Sequence, residues 1–297
     1  MAFTKVFIIH TIIFGIVFAM IVSGGSNGQA SNLGVDFIGT AFTNTIFASC
    51  VLIIFLVQWM AFIPAFIFKT EHFYDLTGSL TYIGVIILAY MASEHSDIRS
   101  LLLTVMVVLW AARLGSYLFL RVLKKGSDSR FIEIKKSFWR FAVTWTIQGL
   151  WVLMTAAAAL AAITSSEQVE FGLIGMVGVA VWLIGFGFEV VADNQKRQFN
   201  QQQNSQQAFI QNGLWSRSRH PNYFGEILLW FGVAIVAFPV LQGWQYITLI
   251  SPLFVAALLI KVSGIPQQEK QAKERWADNE AYQSYYRSTP RIFPKLF

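Results

Sequence analysis

The chain has 297 residues, 55% hydrophobic and 13% charged, with a mean hydropathy of +0.54, which excludes a soluble domain, a disordered segment or a fibre. Its 27 Phe and 10 Trp need lipid to cover them, so the composition indicates a membrane protein. The net charge of +6 is then typical of cytoplasmic loops rather than of a nucleic-acid partner.

Apolar stretches of about 20 residues, the length that crosses a hydrocarbon core, predict membrane-spanning helices. They occur at residues 5–24, 44–67, 77–93, 99–122, 139–163, 170–192, 223–240 and 243–262. We therefore predict an all-α, polytopic transmembrane helical bundle of about seven to eight spans. The first stretch is also compatible with a secretory signal, because Lys5, an apolar run and the small residues of 23–30 resemble its three regions.

The positions of Lys and Arg test this count independently. They concentrate in the loops after the second, fourth and sixth stretches and in the C-terminal tail, whereas residues 24–44, 164–170 and 240–244 contain none. Since basic residues favour the cytoplasmic side, this alternation predicts that both termini are cytoplasmic, together with those three loops.

The fourth stretch carries Arg113, Tyr117 and Arg121 at intervals of four residues, on one face of a predicted helix. A neutral phenol at this depth can donate a hydrogen bond, and then a proton, to a carbonyl whose negative charge grows in a transition state. The same stripe is also compatible with an aromatic belt and snorkelling arginine. Asp75, just before the third stretch, is a further candidate, or only an N-terminal helix cap.

The sixth stretch ends in charged residues that share a helix face: Glu189, Asp193 and Arg197 are four apart, with Lys196 beside them. A carboxylate near the bilayer is costly unless it is paired or hydrated, so Glu189 indicates a functional site. The alternative is a salt-bridged stripe that closes the helix end.

Arg217, Arg219 and His220 directly precede the seventh predicted helix, whose first turn contains Asn222 and whose second contains Glu226. Backbone N–H groups, the positive helix end and two guanidinium groups together favour a phosphate or carboxylate. Asn222 and Glu226 are one turn apart and suit ribose hydroxyls or a carboxamide. The alternative is a juxtamembrane basic patch that meets anionic lipid.

Several familiar sites are excluded. Cys50 is the only cysteine, and four scattered histidines do not predict a zinc site, so no metal is expected. The motifs GxxxxGK[ST] and HExxH do not occur. A transporter remains an alternative, but the charged residues cluster at one end of the spans. This clustering favours a soluble anionic cofactor that meets a lipid-borne substrate.

Four segments together resemble the steroid 5α-reductase and sterol reductase superfamily. They are 192–199 (Ala-Asp-Asn-Gln-Lys-Arg-Gln-Phe), 211–215 (Gln-Asn-Gly-Leu-Trp), 218–226 (Ser-Arg-His-Pro-Asn-Tyr-Phe-Gly-Glu) and 289–294 (Thr-Pro-Arg-Ile-Phe-Pro). Residues 110–121 and 127–131 are similar to its bacterial-type branch, DUF1295. The resemblance runs from about residue 75 to 297, so it implies N-terminal spans at 1–70 that match weakly and a reductase-like transmembrane catalytic domain at 71–297 with a cytoplasmic tail.

The resemblance implies an NADPH-dependent oxidoreductase that transfers hydride to the activated C=C (enone) of a steroid-like or other lipid substrate. It assigns cofactor binding to the following residues: Asp193, Gln195, Lys196, Arg197, Arg217, Arg219, His220, Asn222, Tyr223 and Glu226. Its Arg-x-x-x-Tyr pattern assigns the substrate carbonyl to Tyr117, with Arg113 one turn earlier. The carboxyl group that family members use with this tyrosine has no clean equivalent in the sequence, and Asp75 is our choice for it.

Two further points follow from the resemblance. The Arg-His-Pro-x-Tyr-x-Gly motif also occurs in isoprenylcysteine carboxyl methyltransferases, so an S-adenosylmethionine-dependent membrane methyltransferase is the alternative function. Residues 265–269 (Ile-Pro-Gln-Gln-Glu) depart from the Arg- and His-rich segment of steroid reductases, which does not favour steroid specificity. The expected location is a bacterial inner membrane, or the endoplasmic reticulum in a eukaryote, with lipid as the partner and no nucleic acid.

Overall fold

The computed structural model of the chain describes residue 15 and residues 18–30, 45–94, 97–125, 131–201 and 209–295. Across these residues the regular structure is helical, with an isolated bridge between Ala30 and Thr45. Seven segments of this described part are long and apolar enough to cross a membrane. The predicted all-α, polytopic fold class is confirmed, and the chain is a multi-pass integral membrane protein.

The helices are numbered in chain order over the described residues. They are α1 (Ile46–Ile67), α2 (Tyr74–Ala92), α3 (Ile98–Lys125), α4 (Phe138–Ile163), α5 (Leu173–Gln201), α6 (Pro221–Ala237), α7 (Ser251–Ala257), α8 (Gly264–Trp276) and α9 (Glu280–Ser288). Short 3-10 segments cover Gly213–Ser216, Phe238–Val240 and Gly243–Ile250, and a π-helical turn covers Leu258–Val262.

Two predicted spans differ from the structure, and a third is only partly described. The sixth continues as one helix to Gln201 rather than ending at residue 192. The eighth, 243–262, is a 3-10 segment, then α7, then a π turn. Pro252 accounts for the first change, because it lacks the N–H that an α-helix continuing from residue 243 would need there. The first predicted span, 5–24, lies mostly outside the described residues. Where the structure describes this part of the chain continuously, residues 18–25 are helical.

The chain divides into two compact units, each described here by itself. Unit 1 comprises Met1–Gly175 and Val236–Ser251, and unit 2 comprises Met176–Ile235 and Pro252–Phe297. The predicted boundary at residue 70 came from the extent of the family resemblance and stays a prediction.

Unit 1 packs α1 to α4 around aromatic and aliphatic side chains. Phe62, Phe141 and Trp145 form a buried cluster with Phe131, which lies before α4. Lys135 Nζ lies 2.6 Å from Oε2 of Glu71, whose side chain is only 1% exposed, so an ion pair joins the segment before α4 to the segment before α2. These contacts hold the segment that leads into α2, the helix that carries the predicted catalytic residue Asp75.

Arg99 is a structural cation in unit 1. It is 1% exposed, and its guanidinium donates to three backbone carbonyls, those of Val236 (2.8 Å), Glu170 (3.0 Å) and Val169 (3.2 Å). Because carbonyl oxygens and not water satisfy these N–H groups, Arg99 ties the start of α3 to two other segments of unit 1.

Candidate functional site

Glycines bring α5 and α6 into backbone contact within unit 2. A Cβ added to Gly225 would lie 2.5 Å from the backbone N of Glu189, and one added to Gly185 would lie 2.4 Å from that of Leu229. Only glycine permits so close an approach. Glu189, the carboxylate predicted to mark a site, is 2% exposed at this crossing.

One turn farther along α5, Asp193 meets the first turn of α6. Asn222 Nδ2 donates to Asp193 Oδ1 over 3.2 Å. The glycine crossing therefore brings together two of the residues predicted to bind a cofactor, one from each helix.

Beside this junction unit 2 contains a cavity of about 260 Å³, here called the unit 2 cavity. Three predicted residues line it: Lys196, Arg219 and His220. The other lining residues with charged, amide or aromatic side chains are Phe199, Asn200, Phe209, Trp215, Gln268, Glu269, Gln271, Arg275, Trp276, Tyr282 and Tyr285. The cavity thus combines cations with aromatic rings and one carboxylate.

Lys196 is held at the cavity wall by two residues that the sequence analysis did not identify. Its Nζ lies 4.9 Å above the Trp215 ring and donates to Oε1 of Gln268 over 3.2 Å. Because that bond fixes the orientation of the Gln268 amide, its Nε2 donates to the Tyr223 hydroxyl over 2.7 Å. Gln268 therefore links the lysine on α5 to the tyrosine on α6.

Gln195 supports the loop that leads into α6. Its Oε1 accepts a hydrogen bond from Leu214 N over 3.0 Å, and its side chain covers Gly213, which has a φ of +59°. A Cβ at Gly213 would lie 2.5 Å from Gln195 Nε2. The structure therefore gives Gln195 a part in orienting the turn that carries Trp215.

Arg219 and His220 meet the carboxylate of Glu269, from α8. Arg219 Nη1 lies 2.8 Å and His220 Nε2 lies 3.5 Å from Glu269 Oε1, while Arg291 Nη2 lies 3.5 Å from Oε2. Burial lowers the pKa of His220, and the neighbouring Glu269 opposes that shift. The Arg219 guanidinium also stacks on Tyr286, at 3.8 Å from Cζ to the ring centre.

The C-terminal segment runs along the residues before α6. Arg219 N donates to Pro290 O (2.9 Å), Ser218 Oγ to Ile292 O (2.7 Å), and Lys295 N to Arg217 O (3.0 Å). These bonds anchor the end of the chain beside the unit 2 cavity.

Six other predicted cofactor residues do not belong to the described wall of the cavity. Arg197 and Arg217 are exposed, whereas Asp193, Asn222, Tyr223 and Glu226 are half-buried on α5 and α6. None of these six is among the described residues that line the cavity.

The predicted catalytic residues Asp75, Arg113 and Tyr117 belong to unit 1, where all three are half-buried. A Cβ on Gly115 would lie 2.4 Å from Ser79 Oγ, so α2 and α3 approach closely one turn from Asp75 and two residues from Tyr117. The alternative role of Asp75 as a helix cap is wrong, because α2 begins at Tyr74 and its N-cap position is Phe73.

Sequence reasoning missed the contribution of α8, α9 and the tail. Two apolar stretches, 223–240 and 243–262, separate Glu269 and Gln268 from Arg219 along the chain, so no local motif joins them. One signal was available: Trp276, Tyr282, Tyr285 and Tyr286 are large aromatic residues in an otherwise polar stretch. Such residues indicate a buried wall or a binding surface.

Residues 61–289 match the family described as "Protein of unknown function (DUF1295)". No curated protein and no solved structure matches the chain. The matched residues cover most of the chain and include α2 to α9, with both the unit 2 cavity and the α2–α3 contact. The chain therefore belongs to the DUF1295 family.

Proposed function

We propose that this protein is an integral membrane, NADPH-dependent reductase that transfers hydride to the activated C=C of a lipid substrate. The observation that carries the proposal is the unit 2 cavity, in which Lys196, Arg219 and Arg275 stand beside aromatic side chains. Guanidinium and ammonium groups favour phosphates, and aromatic rings favour a planar base. Clustered cations beside an apolar wall suit a phosphorylated nucleotide better than a neutral lipid.

The donor set fits the anionic end of such a cofactor. Arg219 Nε is buried and has no hydrogen-bond partner among the described residues, so this N–H suits an acceptor oxygen. The cavity, at about 260 Å³, is smaller than the range of roughly 300–1,000 Å³ usual for whole ligands. It would therefore hold part of NADPH, and we assign the adenosine phosphate end to it. NADPH supplies the hydride when bound.

We assign the substrate to unit 1. Tyr117, with Arg113 one turn earlier, would hydrogen-bond the carbonyl oxygen of an enone and stabilise the charge that develops there. Asp75 would orient the phenol, since α2 and α3 are in contact near both residues. An apolar substrate would enter from lipid, and the membrane we propose is a bacterial inner membrane.

Cofactor titration of the protein in mild detergent tests this proposal. We expect NADPH to raise the melting temperature at lower concentration than NADH, because the extra phosphate contacts the cations of the unit 2 cavity. Replacing one such cation, in Lys196→Gln, should weaken NADPH binding about tenfold and reduce the preference over NADH.

Lys270→Gln is the matched control, since Lys270 is a lysine whose side chain is 79% exposed on α8. It should bind NADPH as the wild type does. Equal affinities of the wild type for NADPH and NADH would contradict the assignment of the phosphate to Lys196. An equal loss of NADPH affinity in Lys196→Gln and Lys270→Gln would contradict it as well.

The second candidate is a methyltransferase that uses S-adenosylmethionine. The observation that favours it is Glu269, since a carboxylate in an aromatic-lined cavity also suits a sulfonium cation. The same titration distinguishes the two: stabilisation by S-adenosylmethionine without stabilisation by NADPH would favour the methyltransferase and contradict the reductase.

A further inference from the structure

The Arg219 guanidinium is held by side chains from the C-terminal part of unit 2. Glu269 contacts its Nη1 edge at 2.8 Å, and the Tyr286 ring covers its face at 3.8 Å. The N–H of Nη1 is not aligned with the oxygen, so the first contact is an ion pair rather than a directed hydrogen bond. Arg291 contacts the second oxygen of Glu269 and so holds the carboxylate itself.

The N–H groups of Arg219 are not all used by these contacts. Its Nε is buried without a hydrogen-bond partner among the described residues, and the residue lines the unit 2 cavity. The side chain of Arg219 is 13% exposed and that of Glu269 is 14% exposed, so water reaches this pair little. A fixed arginine with a buried, unused N–H is what a pre-formed anion site requires.

We propose that Glu269 and Tyr286 are positioning residues, which fix the Arg219 guanidinium so that it serves an anionic group in the unit 2 cavity. This inference rests on the anion-binding part of the proposed function. It extends that function by giving a carboxylate and a tail tyrosine a role in binding an anion.

The direction in which anion affinity changes when the Glu269 carboxylate is removed separates a positioning role from simple electrostatics. A carboxylate next to an anion site repels the ligand, so charge alone predicts that its removal strengthens anion binding. If the carboxylate positions Arg219, its removal weakens binding, because the freed side chain must be ordered again when the ligand binds.

The test uses the full-length protein in detergent, with inorganic pyrophosphate and NADPH as separate probes. Affinities are measured by calorimetry for the wild type, Glu269→Gln, Tyr286→Leu and Tyr286→Phe. Glu274→Gln is the matched control, because Glu274 is on the same helix, 64% exposed, and 4.0 Å from Lys270.

We expect Glu269→Gln and Tyr286→Leu to weaken both probes about tenfold without lowering the melting temperature of the unliganded protein. Tyr286→Phe, which keeps the ring, should restore the affinity lost in Tyr286→Leu. Unchanged or tighter binding by Glu269→Gln overturns the proposal. If that variant does not fold, equal affinities of Tyr286→Leu and Tyr286→Phe overturn it instead.

The two probes separate this inference from the proposed function. A wild-type protein that binds pyrophosphate but not NADPH contradicts the reductase, while the pyrophosphate series still tests the positioning of Arg219. A wild-type protein that binds neither probe overturns both.

Discussion

Arg99 and Arg219 both lie next to the start of an apolar helix, yet their guanidinium groups have different partners. Arg99 donates to backbone carbonyls on three sides, so its binding capacity is largely used within unit 1. The Nε of each arginine is buried without a hydrogen-bond partner among the described residues, but Arg219 contacts a carboxylate and a ring and lines the unit 2 cavity. Arg99 therefore carries no information about which side of the membrane its loop faces, whereas Arg219 is the better candidate for binding.

Tyr117→Phe tests the residue on which the proposed chemistry depends. The substitution removes one hydroxyl, so NADPH binding should be retained while the reduction rate falls by a factor of about 100 to 1,000. NADPH titration and product formation from an enone lipid measure the two effects. Tyr246→Phe, at an exposed tyrosine, should reduce substrate at the wild-type rate. Unchanged turnover in Tyr117→Phe would remove Tyr117 from the mechanism.

At the scale of helices, the crossing of α5 and α6 depends on the absence of a Cβ at Gly225. Gly225→Ala would place a methyl group 2.5 Å from Glu189 N, so the helices must separate, at a cost of about 1–3 kcal/mol. We expect a lower melting temperature and weaker cofactor binding. Gly187→Ala, on the exposed side of α5 with no atom within 4 Å, should be neutral or stabilising. A similar fall in melting temperature in Gly225→Ala and Gly187→Ala would contradict the close crossing of α5 and α6.

Hydropathy predicted the helices well because burial in lipid is a local property of twenty-residue windows. It failed where the backbone hydrogen-bond pattern changes inside an apolar run, as in 243–262, and where a helix continues into polar sequence, as at the end of α5. Lys196, Arg219 and His220 were predicted because their motifs are local. Glu269 was not, since its partners are separated from it along the chain and only the tertiary fold brings them together.

At the scale of the whole molecule, the orientation in the membrane stays a prediction. It can be tested with single introduced cysteines, because Cys50 is the only cysteine of the chain. Cys50 is fully buried, so the wild type should not react with a membrane-impermeant maleimide. Glu167→Cys, in a loop predicted to face away from the cytoplasm, should label in intact cells. Ser284→Cys, in the predicted cytoplasmic tail, should label only after permeabilisation. The reverse pattern would contradict the positive-inside assignment.

The length of α5 has a consequence for how a ligand meets this protein. Its 29 residues extend roughly 43 Å, while a hydrocarbon core is about 30 Å thick. About two turns must therefore project beyond the acyl chains, and the polar end that carries Lys196 is the part that can do so. Lipids with longer acyl chains form a thicker hydrocarbon core, which would bury more of this end of α5. We therefore expect the affinity of the proposed cofactor to depend on bilayer thickness, which titrations in short-chain and long-chain lipid nanodiscs would measure.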